Sequence, residues 1–117
     1  MLFRSPVGLE RLDPEGEVAL VIGRTAKDVS ESDALAYVAG VTAFNDVSAR
    51  DWQRRDGQWS RAKGSDTFAP FGPCIVPAWS IPDPQAVSML LTVNGQQMQK
   101  DSAKNMIWAV AEQVSYL

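Results

Sequence analysis

The sequence predicts an α+β domain with more sheet than helix. Three observations carry that expectation. An apolar, β-branched run over residues 18–22 stops at Gly23, an Asn94-Gly95 pair sits between two alternating stretches, and helical spacing is confined to a few segments. At 117 residues the chain is long enough for one modest core, so residues 1–117 are read as one domain.

The elements follow in order. Residues 18–22 (Val-Ala-Leu-Val-Ile) are too short for a helix and read as a buried strand. Ser30 then stands as an N-cap with Asp33 at the capping-box position, Leu35 and Val38 supply an apolar stripe, and Gly40 reads as the helix stop. Residues 41–44 form a second buried strand that delivers Asn45 and Asp46 at its end. Residues 48–63 are polar and read as a loop, interrupted by Trp52 and Trp59, with a turn at Asp56-Gly57. Five prolines between 69 and 84 exclude long helices there, which leaves a short strand at 74–76. Residues 87–93 and 96–99 flank Asn94-Gly95 as a hairpin with a type I′ turn. Ser102 is placed to cap a helix from about residue 103 to the end, with Met106, Val110, Val114 and Leu117 on its buried face.

Composition narrows the function. A net charge of −3 gives no electrostatic reason to expect nucleic acid as a partner. There is no apolar run of about 18 residues, so no membrane partner is expected, and no signal-peptide core opens the chain. Cys74 is the sole cysteine and reads as a buried thiol, which fits a reducing, cytoplasmic compartment. The chain contains no histidine, which removes Ser-His-Asp and Cys-His catalysis and histidine-based zinc sites within these residues.

Carboxylates carry the remaining chemistry. Glu15 and Glu17 flank Gly16 just before the first strand, and residues i and i+2 of an extended segment point to the same side. If the two apolar strands are neighbours, Asp46 completes a three-carboxylate cluster. Such a cluster suits Mg²⁺, Mn²⁺ or Ca²⁺ rather than zinc. By alternation alone a Glu-x-Glu pair is more often a solvated strand edge.

Longer motifs add to this reading. They are Glu15-Gly16-Glu17 with the strand to Gly23, Val38-Ala39-Gly40, Asn45-Asp46-Val47-Ser48-Ala49-Arg50-Asp51-Trp52-Gln53 and Lys63-Gly64-Ser65-Asp66-Thr67-Phe68. Gly72-Pro73, Ile81-Pro82-Asp83-Pro84, Val93-Asn94-Gly95 and Met106-Ile107 follow in order. Together they resemble the fumarylacetoacetate hydrolase family over nearly the whole chain after about Leu9. The resemblance implies the family's sheet-rich mixed β-roll in partial form, because the family's chains extend further at both ends.

It also implies roles for individual residues. Glu15, Glu17 and Asp46 match the metal-binding carboxylates, Lys63 the active-site lysine, and Arg50 and Gln53 polar residues of the substrate pocket. Thr67 falls near the metal and the lysine. The implied cofactor is Mg²⁺, or Mn²⁺ or Ca²⁺. The implied partners are a small-molecule 2-oxo or β-diketo acid and a second copy of the chain in a homodimer. The implied chemistry is hydrolysis, decarboxylation or isomerisation through a metal-bound enolate, with the isolated chain expected to be inactive. Two alternatives stay open, a catalytically incomplete metal-binding or interaction fragment and a ureidoglycolate-type lyase. One local departure is Gly64-Ser65, where many relatives place Ser-Phe. From the residues alone, Arg50 is equally suited to brace the loop by pairing with Asp51 or Asp46.

Overall fold

The computed structural model describes residues 3–117. Eleven regular elements occur among them: β1 (Leu12–Asp13), β2 (Gly16–Ile22), α1 (Glu31–Ala34), β3 (Val38–Asn45), β4 (Ser48–Ala49), α2 (Arg50–Asp56), α3 (Ser60–Lys63), β5 (Val76–Pro77), β6 (Ser88–Val93), β7 (Gln96–Ser102) and α4 (Val110–Tyr116). The strands form three small sheets, β1-β4, β2-β3-β5 and β6-β7. The mixed α+β class is therefore as the sequence predicts. The residues group into two compact units, each drawn from two stretches of chain. One holds residues 3–17 and 43–72, the other residues 18–42 and 73–117.

The first unit is built on a small apolar cluster. Val47, Ala49, Ala62 and Phe68 are buried, and Leu9, Leu12 and Trp52 pack against them half-buried. Phe3 meets Phe68 edge-on at 6.2 Å between ring centres. β1 pairs antiparallel with β4, Leu12 opposite Ala49 and Asp13 opposite Ser48. Here the structure departs from the sequence reading, because residues 50–56 and 60–63 are helical where a loop was expected. Trp52 is the one large apolar residue of α2 facing the cluster. That single contact leaves no stripe for periodicity to detect, and tertiary packing decides the helix.

The turn between α2 and α3 is clamped by Arg61, whose Nε and Nη2 each donate to the Asp56 carboxylate at 2.7 Å. The Arg61 guanidinium also lies over the Trp52 ring, 4.4 Å from its centre. The Arg61 hydrogen bonds hold the Asp56 carboxyl below the ordinary aspartate value of 3.8. A lowered pKa means that the pair stabilises the fold above that value and ceases to do so as pH falls through the folded one. Asp56→Asn is expected to flatten the acid side of the stability–pH curve below about pH 4. Urea midpoints from pH 2 to 7 that keep the same slope in the variant would contradict this.

The second unit buries Val29, Ala34, Val38 and Val114, with Leu20, Tyr37, Ala78 and Ala111 packed against them. Its first helix is shorter than predicted. α1 gives way to a 3₁₀ turn over Leu35–Tyr37, and Val38 and Gly40 already belong to β3. Gly40 is not a helix stop. It is a close-approach position, because a Cβ there would run into the Val76 carbonyl oxygen of β5 and lie 2.7 Å from Ile75 Cγ2. β5 pairs with β3 as Gly40 opposite Pro77 and Val41 opposite Val76, so it starts two residues after the expected 74–76 strand and ends one after it. Thr42, buried in β3, donates from Oγ1 to the Cys74 carbonyl at 2.8 Å. Cys74 itself is exposed, which corrects the buried-thiol expectation.

The hairpin forms as the sequence predicts and is longer. β6 and β7 pair from Ser88 opposite Ser102 to Val93 opposite Gln96, and Asn94 and Gly95 both take positive φ (51° and 81°) as a type I′ turn demands. The final helix is shorter than the expected 103–117. Ser102 caps only a 3₁₀ turn over Ala103–Asn105, and Met106 leaves helical geometry at ψ 143°. α4 starts afresh at Val110, whose N–H donates to Gln85 Oε1 at 2.8 Å. Val110 and Val114 are buried as expected, whereas Met106 and Leu117 are exposed. None of the helices among the described residues is long and apolar enough to cross a membrane.

Candidate metal centre

All seven residues singled out from the sequence lie in the first unit. Two backbone-directed bonds bring the carboxylates together. The Glu15 N–H donates to Asn45 Oδ1 at 3.1 Å, and the Asp46 N–H donates to the Glu15 carbonyl at 2.9 Å. Asn45-Asp46 thus clips the end of β3 to the start of β2. Alternation about Gly16 then puts Glu17 on the same side as Glu15. One carboxylate oxygen from each of Glu15, Glu17 and Asp46 lies within 4.8 Å of the other two.

Two cations enter the same cluster. Lys63, at the end of α3, donates from Nζ to Glu15 Oε2 at 2.9 Å and makes a second, shorter contact with Asp46 Oδ2. Arg50, at the start of α2, donates from Nε to Asp13 Oδ2 at 3.0 Å and from Nη1 to Gln53 Oε1 at 2.9 Å, and its Nη2 pairs with Glu15 Oε1. Arg50 therefore pairs with Asp13 and Glu15 rather than with Asp51 or Asp46. The sequence reading passed over Asp13, although its position two residues before Glu15 places it on the same side of an extended chain. Thr67 lies apart from these contacts. Its exposed hydroxyl accepts from the Arg4 N–H at 2.6 Å, and its backbone is left-handed at φ 68°.

The electrostatics of the three carboxylates differ. Burial pushes the Glu15 carboxyl up, but hydrogen bonds from Lys63 and Arg50 outweigh it, and the pKa ends below the glutamate range. Glu17 is the reverse. Burial raises its pKa, the charges of Asp46 and Glu15 raise it further, and Lys63 offsets only part. For Lys63, burial lowers the pKa, and bonds to Asp46 and Glu15 more than restore it, so the ammonium is held. The cluster of Asp13, Glu15, Glu17 and Asp46 with Arg50 and Lys63 carries four negative and two positive charges. The uncompensated pair of negative charges, felt most at Glu17, and the all-oxygen donor set fit a hard divalent cation.

The comparisons with known proteins agree with the fold. The fumarylacetoacetate hydrolase C-terminal family matches residues 3–117. The chain belongs to the fumarylacetoacetate hydrolase family. Among individual relatives, a candidate hydrolase of Burkholderia ambifaria is 47% identical over 113 residues, covering 96% of this chain and 40% of the relative. The fumarylacetoacetate hydrolase of the psychrophile Exiguobacterium antarcticum superposes with a TM-score of 0.89 at 39% identity, over 93% of this chain and 39% of that one. A 5-carboxymethyl-2-hydroxymuconate delta-isomerase from Mycobacterium smegmatis gives 0.87 at 44% identity, over 93% and 42%. The chain thus spans about 40% of the length of the curated relatives it matches. Its solved neighbours include both a hydrolase and an isomerase.

Proposed function

We propose that these residues form the divalent-metal centre of an enzyme acting on a 2-oxo or β-diketo acid. In this reading Glu15, Glu17 and Asp46 hold Mg²⁺, Mn²⁺ or Ca²⁺ and Lys63 faces the substrate oxygens. The observation that carries the reading is the convergence of three carboxylates on one point with Lys63 bonded to two of them. A bound ion would supply Lewis acidity toward a substrate carbonyl. Lys63, bonded to Glu15 and Asp46, is placed to donate a hydrogen bond to an oxyanion or to shuttle a proton. Arg50 has its fork on Asp13, Glu15 and Gln53, so it orients Glu15 and reaches a substrate carboxylate by exchanging one of those partners. Gln53 would meet the substrate through Arg50, and Thr67 is assigned to the substrate site by the family resemblance alone. The acidic substrates in the names of the solved neighbours support this class, and two copies of the chain are proposed to associate.

Hydrolysis, decarboxylation and keto–enol isomerisation share an enolate, and Lys63 serves all three. They differ in the proton transfers they need. Positioned acid–base catalysis contributes about 10²–10⁴-fold, and the 117 residues contain no histidine to provide it. The purified chain with Mn²⁺ is therefore expected to decarboxylate oxaloacetate measurably faster than free Mn²⁺ and to leave acylpyruvate essentially unhydrolysed. Lys63→Met is expected to remove the decarboxylation. Oxaloacetate loss no faster than with the free ion would show that these 117 residues do not by themselves form a working centre, and an undiminished rate in Lys63→Met would refute the role of the lysine.

A further inference from the structure

Trp59, like the more exposed Trp79 and Trp108, lies outside the core, and among the three it is Trp59 that adjoins Lys63. It directly precedes α3, and the Lys63 N–H donates to its carbonyl at 3.0 Å, so the two residues share one helical turn and one face. The indole centre lies 5.8 Å from Lys63 Nζ. The residue is 57% exposed, whereas tryptophans are highly buried on average. Trp52 shows the ordinary arrangement in the same unit, half-buried against the Val47 cluster and covered by Arg61. Trp59 lies beside the ammonium of the carboxylate cluster, with Lys63 Nζ over its ring and the rest of the indole exposed.

We propose that Trp59 determines specificity, its indole face stacking on the planar, conjugated segment of a 2-oxo acid whose oxygens engage Lys63. The proposal rests on the reading of the carboxylate cluster given above. Two of the three Lys63 ammonium donors go to Glu15 and Asp46, which leaves one for a ligand oxygen. A ligand held there at about 2.9 Å has its next few atoms within reach of an indole centred 5.8 Å from the nitrogen. A flat π-system gains from stacking on that face, whereas a saturated chain gains only contact area. The diene acid in the name of the Mycobacterium smegmatis neighbour is a ligand of this flat kind.

The test is calorimetric titration of the 117-residue chain with Mn²⁺ present and three probes: oxalate, benzylidenepyruvate and 2-oxohexanoate. Oxalate offers only the two oxygens, benzylidenepyruvate adds a flat conjugated tail, and 2-oxohexanoate adds a saturated one. Trp59→Ala is expected to weaken benzylidenepyruvate by about threefold to tenfold, the range of a lost stacking contact, with the other two probes unchanged within twofold. Trp59→Phe is expected to retain most of the affinity for the conjugated acid. Equal binding of benzylidenepyruvate to Trp59→Ala and wild type, with oxalate bound by both, overturns the proposal and leaves the metal-centre reading standing. A uniform loss for all three probes overturns it as well, by assigning Trp59 a structural role. Failure of the wild-type chain to bind any of the three probes with Mn²⁺ overturns the metal-centre reading and the proposal together, and binding of oxalate without benzylidenepyruvate overturns the proposal alone.

Discussion

Mg²⁺ or Mn²⁺ at a hundredfold excess over its dissociation constant is expected to stabilise the chain by about 2.7 kcal/mol and to leave Asp46→Asn unmoved. For a chain of this size that gain corresponds to a rise of roughly 10 °C in the unfolding midpoint. The size of the effect follows from the state of the empty cluster. Glu17 sits where burial and the charges of Asp46 and Glu15 disfavour its ionised form, and a divalent ion relieves that repulsion in the folded chain only. Asp46 is the residue to change because its carboxylate faces both Glu carboxylates while its backbone N–H clips the two strands. Asparagine keeps the clip and the shape and removes the charge. Thermal melts of wild type and variant with and without the ion decide the matter, and an equal shift in both would place the ion elsewhere.

The second large effect lies in the other unit. Gly40→Ala is expected to destabilise the chain by about 3 kcal/mol, the upper part of the range for forced overpacking. A methyl group at this position points at the Val76 carbonyl oxygen, at Ile75 Cγ2 (2.7 Å) and at the Val76 carbonyl carbon (3.1 Å). Two of those atoms are backbone and cannot rotate away, so β5 must move off β3. β5 is two residues long and pairs only through Gly40 and Val41, so a small movement costs the whole pairing. Because these residues lie outside the carboxylate cluster, the metal affinity of the folded fraction should stay at the wild-type value. Denaturant titration would read the loss, and a change under about 1 kcal/mol, within the ordinary range for surface substitutions, would show that β5 is not held by this contact.

What the sequence disclosed and what it withheld have physical reasons. β2 was readable as a strand because a β-branched run favours one, but not as a buried one, since none of its residues is buried and Val18 and Ile22 are exposed; the hairpin was readable because Asn-Gly is suited to two successive positive φ values. The helical ends were not readable. Ser102 signals a cap, but the chain turns only once before Met106 adopts extended geometry, and Gln85 bonds the first N–H of the real helix from 25 residues upstream. Gly40 carries the same letter as a helix stop and serves instead to admit a neighbouring carbonyl. α2 was hidden because a single tryptophan, not a stripe, anchors it. At the site, alternation about Gly16 placed the two glutamates together, whereas the meeting with Asp46 depends on the Asn45 and Asp46 bonds to the Glu15 backbone. The pairing of Arg50 with Asp13 crosses 37 positions, a separation at which local pattern carries no information.

Neither unit is a continuous stretch of chain, and this bears on the order of folding. Residues 18–42 interrupt the first unit, and residues 43–72 interrupt the second. The β6–β7 hairpin is local and can close in about 1–10 μs. Glu15 and Glu17, in contrast, must wait for Asp46 before any ion can be held, so the loop-closure entropy of the intervening segment is lost first, and Lys63 joins the cluster from further along the chain. During synthesis the cluster therefore cannot assemble until Lys63 has left the ribosome, and no single short peptide cut from the chain carries it. Ion binding during refolding should accordingly trail the hairpin signal, making the metal a reporter of the closure of Glu15 on Asn45 and Asp46 rather than a nucleus for folding.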